Sequence, residues 1–206
     1  MKTLTKYLNE KLVIFPSQVD EKLVINKDYK YGNAYTCAPK TFNELRKIIE
    51  DRYNKFGPGT KDMPIDFNDV DVSNIDSFCN NGISIFENAK FEYIDISNWN
   101  VSNVKNMKRM FCICKQLKSV GDLSNWDVSN VENMDRMFFY CEKIKSVGNL
   151  SNWNVSKVTC MSSMFYSCKK LISIGDLSNW NVSNVKDMDY IFGNSGITNI
   201  PSWHKK

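Results

Sequence analysis

One histidine, His204, serves the whole chain, in a Trp-His-Lys-Lys tail. Ser/His/Asp or Cys/His catalysis needs a fixed imidazole held by a third group, and this sequence offers no such setting. The nine glycines are scattered, most of them one per repeated segment, so no glycine-rich phosphate loop is formed. No apolar run approaches the roughly 20 residues of a membrane-spanning helix. Met1-Lys2-Thr3-Leu4-Thr5-Lys6-Tyr7 lacks the apolar stretch and small-residue cleavage site of a secretory signal, and lacks a lipoprotein cysteine. The expectation is a cytoplasmic product when made, with virion association or surface display by an unrecognised route as the alternative.

Charge of one sign is also missing where it would matter. The net charge of +4 comes from 27 Lys/Arg and 23 Asp/Glu. Residues 1–64 hold 12 and 8 of these, which leaves 27 − 12 = 15 and 23 − 8 = 15 for residues 65–206. That neutral balance gives no footprint for a phosphate backbone, so nucleic acid is not an expected partner. Seven cysteines are present, yet Cys112 and Cys114 form a lone C-x-C without a second pair at zinc spacing, so no metal or other cofactor is expected. An odd cysteine count without a secretion signal fits a reducing compartment. Asp95, Asp122 and Asp176 share a repeat position that Asn149 interrupts, which reads as a solvated polar ladder and not as an acid/base pair.

What the sequence has in abundance is repetition. Ser124-Asn125-Trp126-Asp127-Val128-Ser129-Asn130-Val131 recurs almost unchanged from Ser97, Ser151 and Ser178, and Trp99, Trp126, Trp153 and Trp180 follow one another at 27-residue intervals. A fixed period of this length means stacked supersecondary units that cannot bury their apolar faces singly. Val104, Met107, Met110, Phe111 and Cys114 fall within about a 120° arc at helical spacing, so one short helix per unit is predicted. Ser102, Ser129, Ser156 and Ser183 precede these runs as candidate N-caps, and Ser129 with Glu132 completes a capping box. The second half of each unit predicts a short strand around Leu117–Val120, laddered in parallel with its neighbours. Gly121, Gly148 and Gly175 add a residue that the segment from Phe91 lacks, which suggests a stacked bulge.

The segment Phe91-x-x-Ile94-x-Ile96-x-x-Trp99 resembles the leucine-rich-repeat pattern. The longer phrase Leu-Ser-Asn-Trp-Asp-Val-Ser-Asn-Val, followed by Asn-Met-x-x-Met-Phe-x-x-Cys, resembles the BspA-like repeats of bacterial surface proteins and Mycoplasma lipoproteins. The resemblance covers roughly residues 65–206 and implies an α/β solenoid of leucine-rich-repeat type with an adhesion or interaction role. It implies no catalytic residues.

The expected organisation is an N-terminal arm over 1–40, a helical cap over 41–64 and a solenoid over 65–206. Within the solenoid, 65–93 is a degenerate first unit, 94–192 are regular units and 193–206 is a truncated last one. In the arm, Leu4, Leu8 and Leu12 line a possible short helix and Glu-Lys-Leu-Val-Ile occurs from Glu10 and again from Glu21. In the cap, Thr41 and Glu44 form a capping box ahead of Phe42, Leu45, Ile48, Ile49 and Tyr53, and Gly57-Pro58-Gly59 ends the helix. Trp99, Trp126, Trp153 and Trp180 are expected to form an inward ladder, with Cys114, Cys141 and Cys168 forming another. The expected function is a non-enzymatic scaffold for a protein or glycan partner. The variable outward residues Lys105, Lys108, Arg109, Lys115, Glu132, Asp135 and Arg136 are its candidate surface. The alternative is a structural or decoration component of a phage particle or other assembly, docked by its N-terminal leader.

Overall fold

A computed structural model describes residues 37–205, all within one compact unit, Asn33–Lys206. Almost all of the arm expected over 1–40, including the Leu4/Leu8/Leu12 helix and the repeated Glu-Lys-Leu-Val-Ile, lies outside the described residues.

Helix α1 spans Phe42–Phe56. Thr41 is its N-cap, with an extended backbone and a side chain that accepts from Glu44 N at 3.2 Å. Glu44 completes the entry by accepting from Lys40 N at 2.7 Å, one residue before the N–H that a capping box would use. Gly57 ends the helix in a left-handed conformation and its N–H closes on Tyr53 O at 2.8 Å. Leu45 and Ile49 are buried on the inner face, and Tyr53 meets Phe91 edge-on at 5.1 Å. Arg52 clamps Asp69 through both guanidinium nitrogens, at 2.7 and 2.9 Å, and also donates to Asp66 O.

Among the described residues α1 is the one α-helix, so the helix predicted in every repeat does not form. The apolar positions are buried as expected, since Val104, Met107, Met110, Phe111 and Cys114 are each at most 1% exposed. Their backbone is a run of turns. Met110, Cys112 and Cys114 N–H groups close four-residue turns on Met107, Arg109 and Phe111 carbonyls. The intervening N–H groups of Met107, Arg109, Phe111 and Ile113 reach the next unit, at Asn133, Asp135, Met137 and Phe139 carbonyls, over 2.7–2.9 Å. Arg109 and Ile113 sit at φ 58° and 61°, and the same left-handed conformation recurs at Arg136, Tyr140, Ser163, Ser167, Tyr190 and Asn194. A helix would keep every N–H inside its own unit, whereas this coil hands alternate ones to its neighbour. An isolated helix of about ten residues is marginal, so the ladder between coils prevails.

The expected N-cap serines have a different role. Ser102, Ser129, Ser156 and Ser183 donate their backbone N–H to Asn100, Asp127, Asn154 and Asn181 Oδ1, which makes each an Asx turn. The capping box predicted at Ser129 and Glu132 therefore has no helix to start.

On the opposite side of the coil, β1 (Ile65–Asp66) pairs in parallel with β4 (Ile94–Asp95). Beyond this pair the strand predicted around Leu117–Val120 shrinks to single parallel bridges, Tyr93 to Ser119 and Ser119 to Ser146. A second bridge line joins Asn106, Asn133, Cys160 and Asp187, again 27 residues apart. Two further short strands, β2 (Cys79–Asn80) and β3 (Ile83–Ser84), form an antiparallel hairpin in the irregular first unit. The core between the two bridge lines is a continuous pile of rings. Phe86, Phe111, Phe138, Phe165 and Phe192 stack at 5.2, 5.1, 5.6 and 6.2 Å, with interplanar angles of 15° or less.

Gly121, Gly148 and Gly175 mark where each coil crosses the polar ladder of the coil before. Their φ values are 85°, 87° and 90°. A Cβ at Gly148 would collide with Asp122 Oδ1 and approach Ser124 Oγ to 2.9 Å. Glycine is required there by conformation and by space together.

Candidate interaction surface

The tryptophans and the repeat-position cysteines face inward. Trp99, Trp126, Trp153 and Trp180 are at most 4% exposed. Each indole N–H donates to a carbonyl of the preceding coil: Phe67 at 2.8 Å, Ile96 at 3.2 Å, Leu123 at 2.9 Å and Leu150 at 3.0 Å. The one polar atom of each buried ring is thereby satisfied. Trp126, Trp153 and Trp180 lie parallel at 6.5 and 6.4 Å. Cys114, Cys141 and Cys168 make a matching row, with each thiol donating to Phe86, Phe111 or Phe138 O over 2.9–3.1 Å. Burial pushes the Cys114 thiol up to about 12 and raises those of Cys141 and Cys168 well above the ordinary range. Such thiols are packing groups and poor nucleophiles. No disulfide and no cluster of three or more potential metal ligands occurs among the described residues.

The aspartate row is occupied by turn formation. Asp95, Asp122, Asn149 and Asp176 each accept from the backbone N–H of the serine two residues on, and from its hydroxyl. The hydrogen bond from Ser178 draws the Asp176 carboxyl below the usual carboxylate range, with no acid/base partner beside it among the described residues.

The outward charged residues divide into two groups. Lys108 Nζ lies 3.1 Å from Asp135, and Arg136 lies 3.3 Å from the same carboxylate, which is itself almost wholly buried. Arg109 forms an ion pair with Glu87 of the first unit. These four sequence-selected residues are thus bound up in links between coils. Lys105, Lys115 and Glu132 remain exposed, with no ion pair among the described residues.

Aromatic rings also gather at the surface, beside Arg136. Phe139 stacks on Tyr166 at 5.5 Å, Tyr140 lies 5.7 Å from Tyr166, and Tyr190 meets Tyr166 edge-on at 6.5 Å. Tyr190 is 70% exposed, and the Arg136 guanidinium lies over the Phe139 ring at 5.8 Å. Sequence reading missed this cluster. Its signal was available in Phe138-Phe139-Tyr140 and Phe165-Tyr166, where an aromatic residue follows the buried Phe at the same repeat position.

Residues 61–203 match the family model described as Mycoplasma protein of unknown function, DUF285. No curated protein matches. A solved leucine-rich repeat protein from Eubacterium ventriosum ATCC 27560 is similar at 20% identity and a TM-score of 0.33. The match covers 56% of this chain and 35% of that one, so the chain spans about a third of that protein's length.

Proposed function

The chain belongs to this DUF285 family of Mycoplasma proteins, and we propose that it is a recognition module without catalytic activity, a solenoid closed at one end by α1, whose turn face binds a protein or glycan partner. One observation carries the reading: beside a constant row of methionines, one exposed position of each coil changes in charge from unit to unit, unlike the constant exposed row Asn98, Asn125, Asn152 and Asn179. Positions 107, 134, 161 and 188 are all Met, whereas positions 105, 132, 159 and 186 read Lys, Glu, Thr and Lys. Stacking holds the first set, and the second is exposed and free of that constraint. Repeat scaffolds build extended binding faces by this means. The polar groups that chemistry would need are held in Asx turns and inter-coil ion pairs, and the sole imidazole, His204, packs on Phe192 at 5.2 Å.

The test is charge reversal at exposed positions, Lys105→Glu with Glu132→Lys. Both side chains are solvent-facing, so unfolding stability should move by no more than about 0.5 kcal/mol. A partner or glycan retained by the wild-type chain should be lost by the double variant. Retention unchanged by reversal at these two positions and by Tyr166→Ala would remove the turn face from consideration.

A further inference from the structure

The charge balance of the solenoid hides a division. Residues 90–92, 115–118, 142–145 and 169–172 hold seven Lys and two Glu, with no Arg and no Asp, a net charge of +5. The rest of residues 65–206 hold eight Lys/Arg and thirteen Asp/Glu, a net charge of −5. The four basic segments lie side by side. Lys118 N–H donates to Glu92 O at 2.7 Å, and Lys145 N–H to Lys118 O at 3.3 Å. Side chains add links from Lys143 to Gln116 at 2.6 Å and from Lys169 to Glu142 at 3.2 Å. The segments thus form one edge along the side of the stack. It does not lie at the chain's last coil, since Gly196 N–H beyond it closes on Cys168 O at 3.1 Å. Lys118 pairs with Glu92, and Lys169 with Glu142. Lys90, Lys115, Lys143, Lys145 and Lys170 are exposed and make no ion pair among the described residues.

An apolar side chain stands among these ammonium groups. The register that runs Glu92, Lys118 and Lys145 continues to Ile172, which is 70% exposed and two residues from Lys170. That combination selects among occupants. A second copy on a two-fold axis would set lysine against lysine. Phosphates or carboxylates at fixed positions, as on a nucleic acid or a folded protein, are met best by the planar fork of Arg, and the edge has none. A soluble polyanion would leave Ile172 in water. A bilayer with anionic headgroups supplies both halves at once, a diffuse phosphate layer for lysines on flexible stems and acyl chains just beneath for the isoleucine. A cluster of about four to eight basic residues is the size that such a surface attracts. Charges more than about 8 Å from the lipid are screened in physiological salt, so the acidic remainder of the surface opposes the contact only where it comes closer than that.

We infer that the lysine edge built from residues 90–92, 115–118, 142–145 and 169–172 docks the solenoid on an anionic lipid surface, with Ile172 entering the headgroup layer. This goes beyond the recognition reading, whose test concerns Lys105, Glu132 and Tyr166, so the two stand or fall separately. The full chain is mixed with vesicles of phosphatidylcholine alone, or of equal parts phosphatidylcholine and phosphatidylglycerol, and the bound fraction is read by co-sedimentation. Binding is expected to the anionic vesicles only. It should fall steeply as salt rises from about 0.1 M to about 1 M, where the screening length shrinks from roughly 10 to 3 Å. Lys145→Glu with Lys170→Glu should lower partitioning about a hundredfold or more, since each lysine near an anionic surface contributes about fivefold. Lys157→Glu with Lys186→Glu makes the same change in net charge away from the edge and should leave most of the binding in place. Ile172→Ser should weaken vesicle binding about threefold or more. Every altered side chain is exposed, so the thermal midpoints should stay at the wild-type value. No binding to the anionic vesicles in low salt, equal binding to phosphatidylcholine alone, or equal losses from the two lysine pairs would overturn the inference. So would an Ile172→Ser chain that binds vesicles as the wild type does, which would make the edge a site for polyanions in water.

Discussion

At the scale of single residues, the tightest demands come from atoms that one coil places on the next. Gly148 is held at φ 87° directly over Asp122 and Ser124, whereas Gly82 is held at φ 79° with nothing within 4 Å of where a Cβ would stand. Ala at either site incurs the left-handed penalty, but only at Gly148 must it also displace the polar ladder. Gly148→Ala should therefore lower unfolding stability by clearly more than about 1 kcal/mol, and by more than Gly82→Ala, in urea melts of both. Equal losses would mean that the contact with Asp122 relaxes without cost. The buried thiols make a second residue-scale prediction. Cys114 is pushed from 9.0 to about 12 by burial, so the folded state keeps its proton where the unfolded chain has lost it. The folded pKa lies above the unfolded one, so the stabilisation is complete below pH 9 and declines as pH rises from 9 towards 12. The decline from one such group approaches about 1.4 kcal/mol per pH unit in that window. Cys114→Ala should flatten the urea midpoint against pH above 9, and the native chain should resist thiol labelling at Cys114, Cys141 and Cys168 until it unfolds.

At the scale of elements, the deciding question is what a short apolar run does when a neighbour offers it hydrogen bonds. Ile113, a β-branched residue at φ 61°, is strained in the coil and would be at ease in a helix. The two conformations therefore give opposite signs for one substitution. Ile113→Asn, which places there the residue found at the equivalent Asn194, should raise stability by up to about 1 kcal/mol in the coil. In a helix it would lower it. A urea titration of the variant against wild type settles the sign.

The same residue shows how far the sequence was legible. Burial was legible: spacing placed Val104, Met107, Met110, Phe111 and Cys114 on one inner side, and they are inside. Period and register were legible from the tryptophans. The backbone path was not, because a 3, 3, 1, 3 spacing fits a helix and fits a coil whose turns each advance two or three residues. What separates them is the run of left-handed positions, and Arg109, Ile113, Arg136 and Tyr140 are not residues that announce φ > 0. Only Asn194 and the smaller Ser163 and Ser167 hinted at it. On the candidate surface, charge variation was legible, but inter-coil pairing of Lys108 with Asp135 and of Arg109 with Glu87 was not, since each pair joins coils that only the three-dimensional stack brings together.

At the scale of the whole molecule, stability is passed from coil to coil, so the same side chain should matter differently along the pile. Trp126 donates to Ile96 O and lies parallel to Trp153 at 6.5 Å, with coils on both sides and 4% exposure. Trp203 makes the same kind of bond, to Leu177 O at 2.8 Å, and stacks on Trp180 at 6.2 Å, but it is only half-buried in the short 3-10 helix Ser202–Lys205. Removing the ring from the middle leaves a cavity that two neighbours cannot collapse into without breaking register, so Trp126→Ala should cost about 3–5 kcal/mol. Trp203→Ala leaves its gap at an edge that solvent can fill, and should cost clearly less. In a stack coupled through nearest neighbours, the central loss should also broaden the unfolding transition, as the halves on either side begin to melt separately, while the terminal loss should leave it sharp. Equal midpoint shifts for the two variants in urea, with unchanged slopes, would mean that the coils are not coupled through the tryptophan ladder.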